Sequence, residues 1–160
     1  MPNQKLQVSR ALAVIPSTTI NIPFPGAIKE PQSGNTSVSG GGVDLNDTSA
    51  QFVTNNVSIG DIIYNTTDGT CASVVSIINE NRIVCSAAIF TATGKKYTIY
   101  DKDGNDGCVL YIGGAGTLSI RTVGGDSVSL AAVSAGQFIP IQVIGVNAGG
   151  TTATGIVALW

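Results

Sequence analysis

The residues that could do acid–base chemistry are few in this chain. There is no histidine, the usual general acid and base near neutral pH and a member of most triads and zinc sites. A glycan-cleaving enzyme would instead need two carboxylates facing each other across a cleft. Asp101, Asp103 and Asp106 crowd one short segment, whereas Asp61 and Asp68 lie at predicted turns. The sequence therefore predicts that the protein is not an enzyme and has no catalytic residues.

One segment, DKDGNDG at residues 101–107, resembles the start of a calcium-binding loop. Oxygen-bearing side chains stand at alternate positions, as such loops require. The pattern then breaks, because Asp106 stands where calcium loops have glycine and Ile112 where they have glutamate. We expect a solvated linker here, and the sequence predicts no metal and no cofactor.

The three cysteines, Cys71, Cys85 and Cys108, are an odd number at unrelated spacings, so they predict no disulfide framework. Each lies within or beside an apolar run, which predicts buried thiols. A Cys71–Cys85 disulfide across a hairpin is the alternative in an oxidising environment.

Charge and hydropathy exclude two classes of partner. Charged residues make up 11% of the chain, against about 25% in ordinary domains, and the net charge is −2. Eight scattered Lys and Arg residues form no basic face for nucleic acid. No apolar run approaches the ~20 residues of a membrane-spanning helix. The N-terminus lacks the features of a signal peptide, so we expect synthesis in the cytoplasm.

The sequence predicts an all-β fold, because short β-branched runs alternate with Gly, Asn and Asp turn signals such as Asp68-Gly69. We expect two antiparallel modules: a barrel- or roll-like middle module and a C-terminal module like a β-sandwich or jelly roll. An extended arm, favoured by prolines, precedes them. The predicted boundaries are 1–35 for the arm, 36–100 for the middle module, 101–107 for the linker and 108–160 for the C-terminal module.

The C-terminal module is the predicted region of oligomerisation and attachment. Residues 127–160 contain no charged side chain, although a strand facing bulk water normally carries some. We therefore expect another copy or a partner protein to cover this surface. Pro140 is expected at a sheet edge or a bulge, because proline cannot donate a ladder hydrogen bond.

Six apolar residues are the predicted contact residues of this assembly. Three lie in the arm, where an extended chain suits lying across a neighbouring surface, and three lie in the C-terminal module. They are Ile20, Ile22 and Phe24 in the arm, and Phe138, Ile139 and Trp160 in the module. Burial in the chain's own core is the alternative for each.

The C-terminal module resembles small structural proteins of tailed-phage virions. It looks most like spike-base proteins on the heads of phage-like particles, including gene transfer agents, and like capsid decoration proteins. The motifs that carry the resemblance are Tyr111-Ile112-Gly113-Gly114, Gly124-Gly125, Ala135-Gly136, Pro140 and Thr151–Trp160. The middle stretch, residues 53–77 and 83–100, is similar to a β module of phage tail, fibre and decoration proteins, whose motif it carries at IGDIIYNTTDGT, residues 59–70.

This resemblance implies a non-enzymatic virion protein, made in the host cytoplasm and placed on the capsid surface or an appendage. It implies a capsid decoration (cement) or head spike-base function, carried out as a homotrimer or homopentamer. The implied partners are the major capsid protein and, for a spike base, a fibre protein. A tail component such as a fibre, knob or adaptor is the alternative.

Overall fold

The computed structural model describes residues 8–34 and 36–160, without the side chains of Gln32 and Ser33. Over these residues the fold is all-β, with two antiparallel sheets of six and seven strands and no α-helix. One 3-10 turn, Gly40–Gly42, joins two paired strands. The predicted all-β class with two antiparallel sheets is confirmed.

The strands are short, with two exceptions of nine and ten residues. In chain order they are β1 (Ala11–Ala13), β2 (Ile28–Ser33), β3 (Thr36–Ser39), β4 (Asp44–Asp47), β5 (Ile62–Asn65), β6 (Thr70–Asn79), β7 (Arg82–Cys85), β8 (Tyr97–Tyr100), β9 (Cys108–Tyr111), β10 (Gly116–Thr122), β11 (Ser127–Val133), β12 (Phe138–Val146) and β13 (Val157–Leu159).

The chain forms two units, which divide it differently from the predicted boundaries. Unit 1 contains the described residues up to Pro25 together with Asn105–Trp160, and unit 2 is Gly26–Gly104. The predicted arm is shared between them, because β1 pairs with β13 of unit 1 whereas β2 pairs with β8 of unit 2. The predicted linker is divided between Gly104 and Asn105, and the Asn105 side chain donates a hydrogen bond to the Ile22 carbonyl of unit 1 at 2.8 Å.

Unit 1 contains the six-stranded sheet, in the order β1-β13-β9-β12-β10-β11. Its core is apolar and includes Leu110, Leu118, Ile120 and Val143, all fully buried. Five strands, β9 to β13, lie between Cys108 and Trp160. The register shifts between Ile139 and Val143, which places Pro140 in an irregular stretch as predicted.

Unit 2 contains the seven-stranded sheet, in the order β2-β8-β5-β6-β7-β4-β3. The first half of β6 pairs with β5 and its second half with β7. Phe52, Phe90 and Tyr97 are fully buried in its core. The predicted turn at Asp68-Gly69 is confirmed, and Gly69 has a φ of +64° that favours glycine.

The sheet of unit 2 is not closed into a barrel, so the barrel form of the prediction is wrong. Its order ends at β2 and β3, and no ladder joins these strands in the described part of the chain. Thr36 of β3 instead contacts Gly94 and Lys95. Its hydroxyl accepts a hydrogen bond from the Lys95 amide at 2.7 Å and donates to the Lys95 carbonyl at 3.0 Å, and its carbonyl accepts from the Gly94 amide at 2.9 Å. These bonds involve a single residue of β3 and do not form a ladder.

Candidate interaction surface

The six-stranded sheet has two different faces along β9, β12 and β13. Side chains alternate between the faces of a strand, and the core face receives Leu110, Ile139 and Ala158, which are all buried. Their neighbours along the strands, Tyr111 and Phe138 among them, therefore point to the opposite face. That face lies away from the core of unit 1.

Strand register arranges these outward side chains in two rows. The first row crosses four strands, since Ala13 pairs with Val157, and Tyr111 pairs with both Val157 and Phe138. The second row crosses three strands. It consists of Ala11, Leu159 and Val109. We call these seven residues the outer face.

The outer face is apolar and partly open to solvent. Phe138 is 54% exposed, and its ring contacts the Tyr111 ring with centroids 5.3 Å apart. Ala11 and Ala13 are exposed, and the other members are half-buried. None of the seven carries a charge. A surface of this kind has no acid–base chemistry at neutral pH, but it can bind another apolar surface and bury the remaining area.

Of the six predicted contact residues, the structure places one on the outer face and two in the core. Phe138 belongs to the outer face. Ile139 and Ile22 are 2% and 1% exposed and pack within the core of unit 1. The alternative interpretation, burial in the chain's own core, describes these two.

Two further predicted residues contact each other. The Phe24 and Trp160 rings pack edge to face with centroids 5.6 Å apart, and the Arg10 guanidinium lies 5.7 Å from the Phe24 centroid. The Trp160 indole nitrogen donates a hydrogen bond to the Asn105 side chain at 3.1 Å. Ile20, which is half-buried, is the remaining predicted residue. The Phe24 and Trp160 side chains therefore pack against each other within unit 1.

Six residues of the outer face were not predicted from the sequence: Ala11 and Ala13 of β1, and Val109, Tyr111, Val157 and Leu159 of β9 and β13. A signal was available in CVLY and VAL, because these runs are apolar at every position. In an antiparallel sheet, a strand with one solvated face normally alternates apolar and polar residues. An apolar run without alternation therefore indicates that both faces of the strand are apolar.

The acidic residues considered for catalysis have structural partners in unit 2. Asp61 is fully buried, and its carboxylate accepts a hydrogen bond from the Ser58 amide at 2.7 Å and lies 3.0 Å from the Lys29 ammonium. Asp68 lies 2.6 Å from Lys95, and the hydrogen bond from this lysine holds the pKa of Asp68 below its ordinary value.

Residues of the predicted linker also contact their neighbours. The Asp101 carboxylate accepts a hydrogen bond from the Asp103 amide at 2.9 Å and lies 3.1 Å from Lys29. These contacts, the amide first, lower the pKa of Asp101. The Asn105 side-chain oxygen accepts from the Gly107 amide at 2.9 Å as well as from Trp160.

Cys85 and Cys108 are buried thiols, as predicted, and neither forms a disulfide. Burial raises the pKa of each to about 12, so both stay protonated at neutral pH. Cys71 lies opposite Tyr64 on β5, whereas Cys85 lies opposite Val74 of β6. The two cysteines are therefore not cross-strand partners in the hairpin.

The described ranges 8–34 and 36–160 contain no group of three or more His, Cys, Asp or Glu residues that could hold a metal ion. No helix in the same ranges is long and apolar enough to span a membrane. Comparison of the chain with protein-family models, curated proteins and solved structures finds no match.

Proposed function

We propose that this chain is a non-enzymatic structural protein of a phage virion. In this proposal it is a capsid decoration (cement) or head spike-base protein that oligomerises and binds the major capsid protein. It would then stabilise the head or seat a fibre. The observation that supports this best is the outer face, an uncharged apolar surface across four strands of unit 1.

Two independent features support the proposal. Five of the seven residues of the outer face lie in the C-terminal module, whose motifs resemble those of phage spike-base and decoration proteins. The exposed half of Phe138 would gain about 1 kcal/mol on burial, and symmetric association repeats this gain at each contact. The finer expectations of a roll-like middle module and a sandwich- or jelly-roll-like C-terminal module belong to the same proposal.

The proposed location of the protein is the virion, and its proposed partners are other virion proteins. The protein is made in the host cytoplasm and ends on the capsid surface or an appendage. Its partners are further copies of itself, as a homotrimer or homopentamer, and the major capsid protein, with a fibre protein added in the case of a spike base. Neither nucleic acid nor a membrane is a partner.

The first test is the subunit number of the purified protein, by native mass spectrometry and averaged electron micrographs. A closed trimer favours a decoration protein, and a pentamer favours a spike base. Phe138→Ser is expected to weaken the oligomer about tenfold, which corresponds to about 1.4 kcal/mol.

The matched control is Val123→Ser, since Val123 is 49% exposed but lies outside the outer face. We expect the control to keep the subunit number of the native protein. A stable monomer at all concentrations, or equal effects of the two substitutions, would contradict association through the outer face.

A tail fibre, knob or adaptor is the second candidate, favoured by the middle sequence from Ile59 to Thr70, which resembles a module common in tail proteins. Antibody labelling of virions that contain the chain separates the two. Label on the head supports a decoration or spike-base role, whereas label confined to the tail supports the second candidate.

A further inference from the structure

Strand β11 is an open edge of the six-stranded sheet. It is the last strand in the order and pairs only with β10. In the described part of the chain, no hydrogen bond outside that ladder involves residues 127–133. One side of this seven-residue strand therefore presents unpaired backbone groups.

The ladder shows which backbone groups point outward. The Thr122 amide donates to the Asp126 carbonyl at 2.9 Å, which makes this a hydrogen-bonded pair. Hydrogen-bonded and non-hydrogen-bonded pairs alternate, so Val128 exchanges its bonds with Ile120. The N–H and C=O groups of Ser127 and Ser129 therefore point away from β10. The regular alternation ends after Leu130, because Ala131 and Ala132 both lie opposite Thr117 in a β-bulge.

The other sheet edges are protected in ways that β11 is not. β1 has three residues and β3 has four, while β2 carries Lys29, Glu30 and Pro31. Short length, charge and proline are common devices against edge-to-edge pairing. β11, with the sequence SVSLAAV, has none of these three, and its bulge at Ala131 and Ala132 leaves the regular stretch from Ser127 to Leu130 open.

We propose that β11 pairs antiparallel with β11 of a second copy of this chain, about a twofold axis at Ser129. In this register the two Ser129 residues face each other as a hydrogen-bonded pair, and Ser127 faces Ala131 of the second copy. The outward N–H and C=O groups of the two Ser129 residues then have partners. The two six-stranded sheets become one continuous sheet.

The side chains are self-complementary in this register. Val128 lies opposite Leu130 of the second copy, on the face that continues the core, and it is 39% exposed in the single chain. The opposite face holds only Ser and Ala. The nearest charges on the strand ends are the two Asp126 carboxylates, six residue steps or about 20 Å apart. This exceeds the Debye length of about 8 Å at physiological salt, so they repel each other little.

The pairing concerns the strand edge and is independent of the proposed virion role. The β11 contact joins two copies about a twofold axis. The outer face lies on other strands, β1, β9, β12 and β13. Phe138→Ser tests the outer face and leaves β11 unchanged, so the failure of either proposal can be told from the failure of the other.

The test uses single added cysteines in the full chain carrying Cys71→Ser, in which Cys85 and Cys108 are buried. The proposed register brings Ser129→Cys opposite itself, with Cα atoms about 5.5 Å apart, within disulfide range. Ser127→Cys is the matched control, because its two copies lie four residue steps or about 13 Å apart, beyond that range.

On mild oxidation with copper phenanthroline, we expect Ser129→Cys to form covalent dimers at least tenfold faster than Ser127→Cys. Equal rates for the two variants, or no dimer above the Cys71→Ser parent, would overturn the proposal.

A second measurement keeps the test independent of cysteine chemistry. Ser129→Pro removes an N–H that points away from β10, so no hydrogen bond to β10 is lost. Edge strands tolerate proline at such positions. In sedimentation at rising concentration, we expect this variant to lose the doubling of mass that the native protein and Ser129→Thr show. Doubling that persists in a folded Ser129→Pro protein would refute the pairing.

Discussion

Arg121 ties the segment before β2 to the sheet of unit 1. Its guanidinium donates to the carbonyls of Ser17, Thr18 and Ile20 at 2.9–3.0 Å, and burial lowers its pKa. Charge-assisted hydrogen bonds of this kind contribute about 1.5–3 kcal/mol each but do not add. We expect Arg121→Ala to lower the free energy of unfolding of unit 1 by about 2–3 kcal/mol, measured by urea unfolding with Trp160 fluorescence.

Arg10→Ala is the control for this prediction. The Arg10 side chain is exposed, and its cation–π contact with the Phe24 ring contributes about 0.5–1 kcal/mol. Gly145→Ala offers a second approach, since its new Cβ would lie 2.2 Å from the Arg121 guanidinium. We expect Gly145→Ala and Arg121→Ala together to cost less than their sum. An Arg121→Ala effect no larger than that of Arg10→Ala would contradict this role.

Two residues of the turn between β6 and β7 form hydrogen bonds to the loop that connects β4 to β5 in unit 2. The Glu80 carboxylate accepts hydrogen bonds from the Val53 amide at 2.9 Å, the Thr54 amide at 3.1 Å and the Thr54 hydroxyl at 2.7 Å. The Asn81 side chain donates to the Ala50 carbonyl at 3.0 Å. These contacts fix a loop that lacks a ladder of its own.

The bonds to Glu80, chiefly from the Thr54 hydroxyl, lower its pKa below the ordinary 4.5. The unfolded chain then binds more protons than the folded protein, so stability rises with pH in that range. The contribution of Glu80 is present above about pH 4.5 and is lost as the pH falls through the folded pKa. We expect Glu80→Gln to reduce the loss of stability between about pH 6 and pH 3, measured by urea unfolding followed by circular dichroism.

The lowered pKa values of Asp68 and Asp101 act in the same direction, so Glu80→Gln reduces this loss without abolishing it. Asp126→Asn is the control, because Asp126 lies exposed in the β10–β11 turn of the other unit. If both variants show the same acid profile as the native protein, the hydrogen bonds to Glu80 contribute nothing to stability.

The two units differ in the number of chain segments that form them. Unit 2 is one continuous segment, Gly26–Gly104, with its own sheet and apolar core, whereas unit 1 combines two segments distant in sequence. A domain with its own core can fold alone. We therefore expect the fragment 26–104 to give a dispersed amide NMR spectrum and a cooperative thermal transition.

A Phe90→Ala version of the fragment is the control, because removing a fully buried Phe costs about 3–5 kcal/mol and should unfold so small a unit. The fragment 105–160 is expected to stay unfolded, since it lacks β1 and the core residue Ile22. A disordered 26–104 fragment would contradict the independence of unit 2.

Local pattern was sufficient to predict several of the strands, but not β4, whose residues Asp44–Asp47 are mostly of types common in turns. Ile62–Asn65 and Ser127–Val133 are strands formed by short apolar runs of the predicted kind, and Asp68-Gly69 turns the chain where expected. These strands and this turn were predictable because strand propensity and turn chemistry act over a few residues. The irregular stretch at Pro140 follows in the same way, because a missing N–H is a property of one residue.

Local sequence pattern was not sufficient to predict which residues form the outer face. Phe138 was predicted as a contact residue, but its neighbour Ile139 was predicted with it and lies in the core, because only the register with β9 shows which residue points outward. The sequence by itself determined the all-β class, most strand positions and the uncharged character of residues 127–160. The tertiary structure decided that the N-terminal segment completes unit 1 and that Tyr111 meets Phe138, because pairing between strands distant in sequence depends on long-range packing that no local pattern encodes.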